Sequence, residues 1–178
     1  MKITVKQITF TAMLMAITVV LCSFHVPLAF AHLYLVDIAV CTAGILLNPF
    51  LAIIAGSVGA FIGDLMFYPA AMIVTLAVRT VQVVIISVFS HYIMKNKPFI
   101  SSLIGCAIGA TVMIAGYCFL GAAVYGNQST LTATIELALA KLPEETLQAA
   151  VGVAVALPLC YKFRLREIYE NAVKNGGV

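Results

Sequence analysis

The chain has 178 residues, of which 63% are hydrophobic and only 10% charged, with a mean hydropathy of +1.10. A soluble domain carries about a quarter charged residues, so this composition excludes an ordinary soluble enzyme. The net charge of +3 is small, and no G-x-x-x-x-G-K-[ST] phosphate loop occurs anywhere, so any ATP-driven step needs a partner.

The apolar stretches run continuously instead of alternating, which predicts helices in a bilayer and not a barrel. Six segments are expected: roughly 6–24, 35–48, 49–67, 70–94, 99–125 and 131–161. A span takes about 20 residues, so the second and third are short or irregular, meeting at Asn48-Pro49, a helix stop followed by a helix start. The fold class expected is an all-α membrane protein with six transmembrane helices, a single domain over 1–178 with a charged tail at 162–178. With the N-terminus inside, Lys2, Lys6, Lys95, Lys97, Lys162, Arg164, Arg166 and Lys174 are all cytoplasmic, as the positive-inside rule asks. Both termini are then cytoplasmic, and the setting expected is the plasma membrane of a bacterium.

The first segment carries Ala12-x-x-x-Ala16, two small residues on one helical face that let another helix come close, from this chain or from a different protein. Lys2 and Lys6 followed by Ala29-Phe30-Ala31 imitate a signal peptide. The apolar run is too long for a signal core, and cleavage would upset the charge distribution. The loop HVPLAFAHLY (25–34) is long and apolar, suited to a lid over an external cavity or to rest among headgroups. Segment three, AIIAGSVGAFIG (52–63), has small residues every three or four positions and predicts close helix packing.

After the polar stretch 125–129, which includes a weak Asn127-Gln128-Ser129 sequon, the run 131–161 is too long for one simple span. Residues 131–141 are expected as an outer amphipathic or re-entrant piece. Pro143 would open the span 144–161, with Glu144 and Glu145 at its positive dipole end and Pro158 kinking or ending it. The tail from Tyr161 is expected to begin as a helix.

Five cysteines (Cys22, Cys41, Cys106, Cys118, Cys160) have no C-x-x-C and no histidine at ligand spacing, so they read as packing residues, and no metal or cofactor is expected. A Cys22–Cys118 disulfide is conceivable, and nothing requires it. Ser57 has no histidine at its depth, which argues against an intramembrane hydrolase and against an enzyme in general.

Ionisable groups inside a bilayer are costly and either pair or line a path. Asp64 lies near the outer end of the third helix, and Arg79 about nine residues into the fourth, roughly 13 Å along its axis. Two readings stand side by side. One is an ion pair of Arg79 with Asp37 or Asp64 that locks helices together. The other is an outward-facing binding pocket floored by Arg79 and Gln148, with Asp64 at its wall and Tyr34, Tyr68 and Tyr117 among the aromatics that would stack on a flat ring.

Six helices in this length, the Ala-x-x-x-Ala of the first, the long apolar first outer loop, the short second helix and the small-residue third helix ending Gly63-Asp64-Leu65 make a familiar pattern. The chain resembles the substrate-binding S components of energy-coupling factor (ECF) vitamin transporters. The likeness is strongest from Leu35-Val36-Asp37-Ile38 to Arg79 and in Leu142-Pro143, Gln148, Gly152 and Pro158-Leu159. Within that family it is most similar to the pyridoxine or hydroxymethylpyrimidine group, in which a lysine often stands where this chain has Arg79. The resemblance implies capture of a vitamin from outside, docking through Ala12 and Ala16 on a membrane scaffold protein, and uptake driven by two cytoplasmic ATPases. It also implies that the loop at 25–34 gates the pocket. A stand-alone ion-coupled carrier of small solutes is the alternative function.

Overall fold

The computed structural model describes residues 4–28, 31–67, 69, 72–93, 97–121 and 131–174. In chain order the elements are α1 (Val5–Ser23), β1 (His25–Leu28), β2 (Ala31–Tyr34), α2 (Val36–Leu46), α3 (Pro49–Phe67), α4 (Met72–Ile93), α5 (Pro98–Leu120), α6 (Leu131–Tyr161) and α7 (Leu165–Lys174). The apolar 25–34 loop is thus an antiparallel hairpin, His25 opposite Tyr34 and Leu28 opposite Ala31, with β2 lying against α6. Everything else regular among the described residues is helical.

Four helices, α1, α3, α4 and α5, are long and apolar enough to cross a membrane. A fifth is reached if the C-terminal part of α6 and α7, bent by 54° at their junction, are taken as one broken span. The six expected segments all exist as helices, but α2 has only 11 residues, about 16 Å of rise against a hydrocarbon core of about 30 Å. It is the pillar of the bundle: ten of its residues, from Val36 to Leu46, are buried, and only Ile38 among them is not. α2 packs against α1, α4 and α6, and Val40, Ile45, Leu46 and Leu47 join Val83 and Ile86 of α4 in the core. Pro49 at the first helical position starts α3 directly after the turn, as the Asn48-Pro49 pair predicts.

Small residues decide where helices touch. On α3, Gly59 and Gly63 face Thr18 and Cys22 of α1. A Cβ on Gly63 would stand 2.5 Å from the Cys22 Sγ, so only hydrogen fits. α1 buries just this narrow stripe, Thr11, Leu14, Thr18 and Cys22, and its hydroxyls return to the helix backbone, Thr18 Oγ1 donating to Leu14 O at 2.8 Å. Ala12 and Ala16 lie on the opposite, exposed face beside Met13, Ile17 and Val20. No helix of the described chain covers them.

One expectation is corrected. Residues 131–161 form a single 31-residue helix with both Pro143 and Pro158 inside it, so Pro143 does not open a separate span after an outer piece. Proline costs a helix one hydrogen bond, and the continuous turns on either side outweigh that loss here. All five cysteines are buried and none is joined in a disulfide, which removes the Cys22–Cys118 bridge.

Candidate functional site

The polar groups gather at the end of the bundle where the hairpin sits. On α4, Thr75, Arg79 and Gln82 recur at helical spacing and form one polar stripe within an apolar helix. All three are buried, Arg79 to 2% exposure. An apolar collar of Val74 and Val78 from α4, Met113 from α5 and Ala149 from α6 packs beside them.

Arg79 pairs with Asp37, at the start of α2, and not with Asp64. Its Nη1 donates to Asp37 Oδ1 and to Gln82 Oε1 at 2.9 Å, and lies 3.2 Å from Met113 Sδ. Gln82 Nε2 donates to the same Asp37 oxygen at 3.2 Å, and Gln148 Nε2, from α6, donates to Asp37 Oδ2 at 2.5 Å. The Asp37 carboxylate, 1% exposed, therefore receives three donors from two other helices. A buried ion pair survives only with such supporting hydrogen bonds, because desolvating two charges costs several kcal/mol each, on the order of their mutual attraction. Gly152, one turn beyond Gln148, makes the approach possible: a Cβ there would stand 2.5 Å from Asp37 Cβ.

Asp64 belongs to a second, more open chain of bonds. Thr75 Oγ1 donates to Asp64 Oδ2 at 2.5 Å, and Tyr117 Oη donates to Thr75 Oγ1 at 3.2 Å. Asp64 and Tyr117 are half-buried. The two groups meet at Tyr117, whose ring lies 5.4 Å from the Arg79 guanidinium carbon, within cation–π range. Tyr117 opens a π-helical turn, Tyr117–Gly121, at the end of α5. Such widened turns re-aim side chains and recur at functional sites.

Of the binding residues expected from sequence, Arg79 and Gln148 come together through Asp37, and Asp64 and Tyr117 through Thr75. Tyr34, at the end of β2, packs against the main core cluster. Tyr68 lies outside the described residues. Sequence reasoning named Asp37 only as one of two partners for Arg79 and passed over Gln82 and Thr75. Their spacing of three and four from Arg79 was the signal that marked them.

The chain as a whole has clear relatives. The sequence model of the family described as "ECF-type riboflavin transporter, S component" matches residues 2–165. The chain belongs to this family. An uncharacterized protein of Pyrococcus woesei, described by its place in the gap 3' region, is 25% identical over 150 residues, covering 84% of this chain and 94% of that protein. Among solved structures, one described as "Structure and mechanism of the S component of a bacterial ECF transporter" superposes with a TM-score of 0.68 at 20% identity. It covers 92% of this chain and 97% of that one, a likeness of fold. The protein is thus an ECF S component, a substrate-binding subunit of a membrane transporter and multi-pass by its apolar helices.

Proposed function

We propose that this S component captures a small, flat, nitrogen-containing vitamin from outside the cell for ATP-driven uptake. The observation that carries the reading is the family match over residues 2–165. The Asp64–Thr75–Tyr117 group, with Asp64 and Tyr117 half-buried, supplies a place for cargo at the hairpin end of the bundle. In this reading all six segments complete the membrane domain, with both termini cytoplasmic and the hairpin end facing out. Asp64, Tyr117, Tyr34 and Tyr68 surround the ligand, and Arg79 and Gln148 form its floor. The exposed Ala12–Ala16 face of α1 docks on a membrane scaffold protein that works with two cytoplasmic ATPases.

Riboflavin, named in the family's description, is the first substrate to try. A pyridoxine-like or hydroxymethylpyrimidine-like ring is the second reading. The close grouping of one tyrosine ring with Thr75 and Asp64 favours it, since that set suits a single ring.

The test is mass spectrometry of small molecules released from the detergent-purified protein, followed by titration of the ligand-free protein with the species found. A stoichiometric vitamin that rebinds supports the reading. A protein that carries nothing and binds none of these three vitamins overturns it.

A further inference from the structure

The vitamin reading leaves open which kind of charge the site accepts, and the hydrogen bonds of the two carboxylates differ in a way that answers it. Arg79 is the one cation whose side chain is described in this cluster, and its charge is already matched. Nη1 is held by Asp37 and Gln82, and the guanidinium lies over Tyr117. Asp37 is matched in turn, with donors on both oxygens. Asp64 is different: it is half-buried, and its bond in this cluster comes from the neutral hydroxyl of Thr75, taken on one oxygen. With one described cation against Asp37 and Asp64, and with Glu145 of α6 acting on Arg79 and Tyr117 as well, the described cluster keeps an excess of negative charge. Asp64 carries part of it beside Thr75 and Tyr117.

The atoms left over repeat the pattern. Tyr117 Oη and Thr75 Oγ1 spend their protons along the chain towards Asp64, so Tyr117 presents lone pairs, as does the second Asp64 oxygen. These groups ask for N–H or O–H donors. On the other side, Arg79 Nε is buried and has no hydrogen-bond partner. It asks for a single acceptor, which a ring nitrogen, carbonyl or hydroxyl supplies. An anion placed there would add a further negative charge to one cation already facing Asp37, Asp64 and Glu145, in a medium that screens poorly.

Resting on the vitamin-capture reading, we infer that the site selects donor-bearing, unphosphorylated ligands and rejects their anionic phosphate esters, with Asp64 as the ionic determinant of that choice. Arg79 in this scheme fixes Asp37 and the Tyr117 face and offers a ligand its Nε–H alone; with its charge matched by Asp37 it does not serve as an anion receptor.

The experiment compares binding of pyridoxine with pyridoxine 5′-phosphate, and of riboflavin with riboflavin 5′-phosphate, to the full-length protein in detergent. The expected result is about 100-fold weaker binding of each ester, the size of a like-charge contact at short range in a partly screened site. In Asp64→Asn, which keeps the shape and a Thr75 hydrogen bond, the gap narrows at least tenfold. Because the readout is a ratio, it does not depend on how much of the variant folds. Esters that bind as well as the parent vitamins overturn the inference while leaving vitamin capture intact. A gap unchanged in Asp64→Asn overturns the role of Asp64. Failure of all four probes to bind counts against the vitamin-capture reading itself.

Discussion

Two polar clusters tie α6 to its neighbours, one midway along the helix at Gln148 and one at its C-terminal end at Tyr161, and they are built on different chemistry. At the hairpin end the hub is a carboxylate, Asp37, closed off from solvent and surrounded by Arg79, Gln82 and Gln148. At the C-terminal end of α6 the hub is a hydroxyl. Tyr161 Oη donates to Pro98 O at 2.7 Å and accepts from Arg166 Nη1 at 3.0 Å. It lies 2.7 Å from Ser102 Oγ, which reaches Ser90 of α4 at 2.9 Å. Here the charges stay at the edge, Arg166 bonding Glu170 at 3.0 Å with the carboxylate half-exposed. The first cluster holds charges where water cannot replace a lost partner. The second buries only neutral hydroxyls, Ser90 and Ser102, and keeps its charged groups near water. The lesson is that similar hydrogen-bond counts imply very different costs of failure.

The largest effect should come from breaking the first hub on one side. Arg79→Gln leaves the Asp37 carboxylate buried without its cation, and the expected loss is about 3–5 kcal/mol. It would be read as poor yield and a collapsed thermal transition in detergent. The double change Asp37→Asn with Arg79→Gln removes both charges and keeps amide donors and acceptors, so it should recover much of that stability. A double variant as unstable as the single one would show that shape, not charge, governs this cluster. With stability recovered, its vitamin affinity becomes measurable and separates positioning from folding.

Next in size is Gly152→Ala. The added methyl would sit 2.5 Å from Asp37 Cβ, and the nearest other atoms are the Asp37 carbonyl carbon and oxygen, which cannot rotate away. α2 and α6 must part, at about 1–3 kcal/mol. The Gln148 bond to Asp37 should lengthen as they do, so both melting temperature and ligand affinity fall together. A small substitution outside this crossing, Ser23→Ala at an exposed position, should leave both unchanged.

Much of this architecture can be read from residue order, and the limits of that reading are physical. Continuous hydropathy marks helices, and Asn48-Pro49 marks a turn, because both signals are local. The small-residue stripes were equally visible, but sequence does not say which stripe meets its own chain. Gly59 and Gly63 are taken by α1, whereas Ala12 and Ala16 stay exposed. Pro143 misleads because a proline's local preference to begin a helix gives way to the turns on both sides of it. For Arg79, two carboxylates were in reach by depth, and only tertiary placement chooses Asp37. Gln82 was legible as a third polar position on the Thr75–Arg79 face and needed only the helical spacing to be followed one step further.

The smallest expected effect tests the other hub. Tyr161→Phe removes the hydroxyl that joins Pro98, Ser102 and Arg166 but keeps the ring, which packs edge-on against Phe99 at 5.3 Å. Pro98 and Arg166 lie close enough to the surface for water to bond them, and buried Ser102 keeps its bond to Ser90, so the cost should be about 0.5–1.5 kcal/mol. That loss should be local. α7 is held to the bundle here and again where Tyr169 meets Phe10 of α1, with rings 5.3 Å apart and nearly perpendicular. Weakening one of two attachments raises the rate at which the helix lifts without unfolding the core. Amide hydrogen exchange should therefore quicken across Leu165–Lys174 while α2 and α4 keep their protection. Vitamin affinity should stay at its original value, since Tyr161 lies about 20 Å along α6 from Gln148 and its contact with Asp37. Faster exchange spread through α2 would mean that the two hubs are one cooperative unit, and the contrast between them would fall.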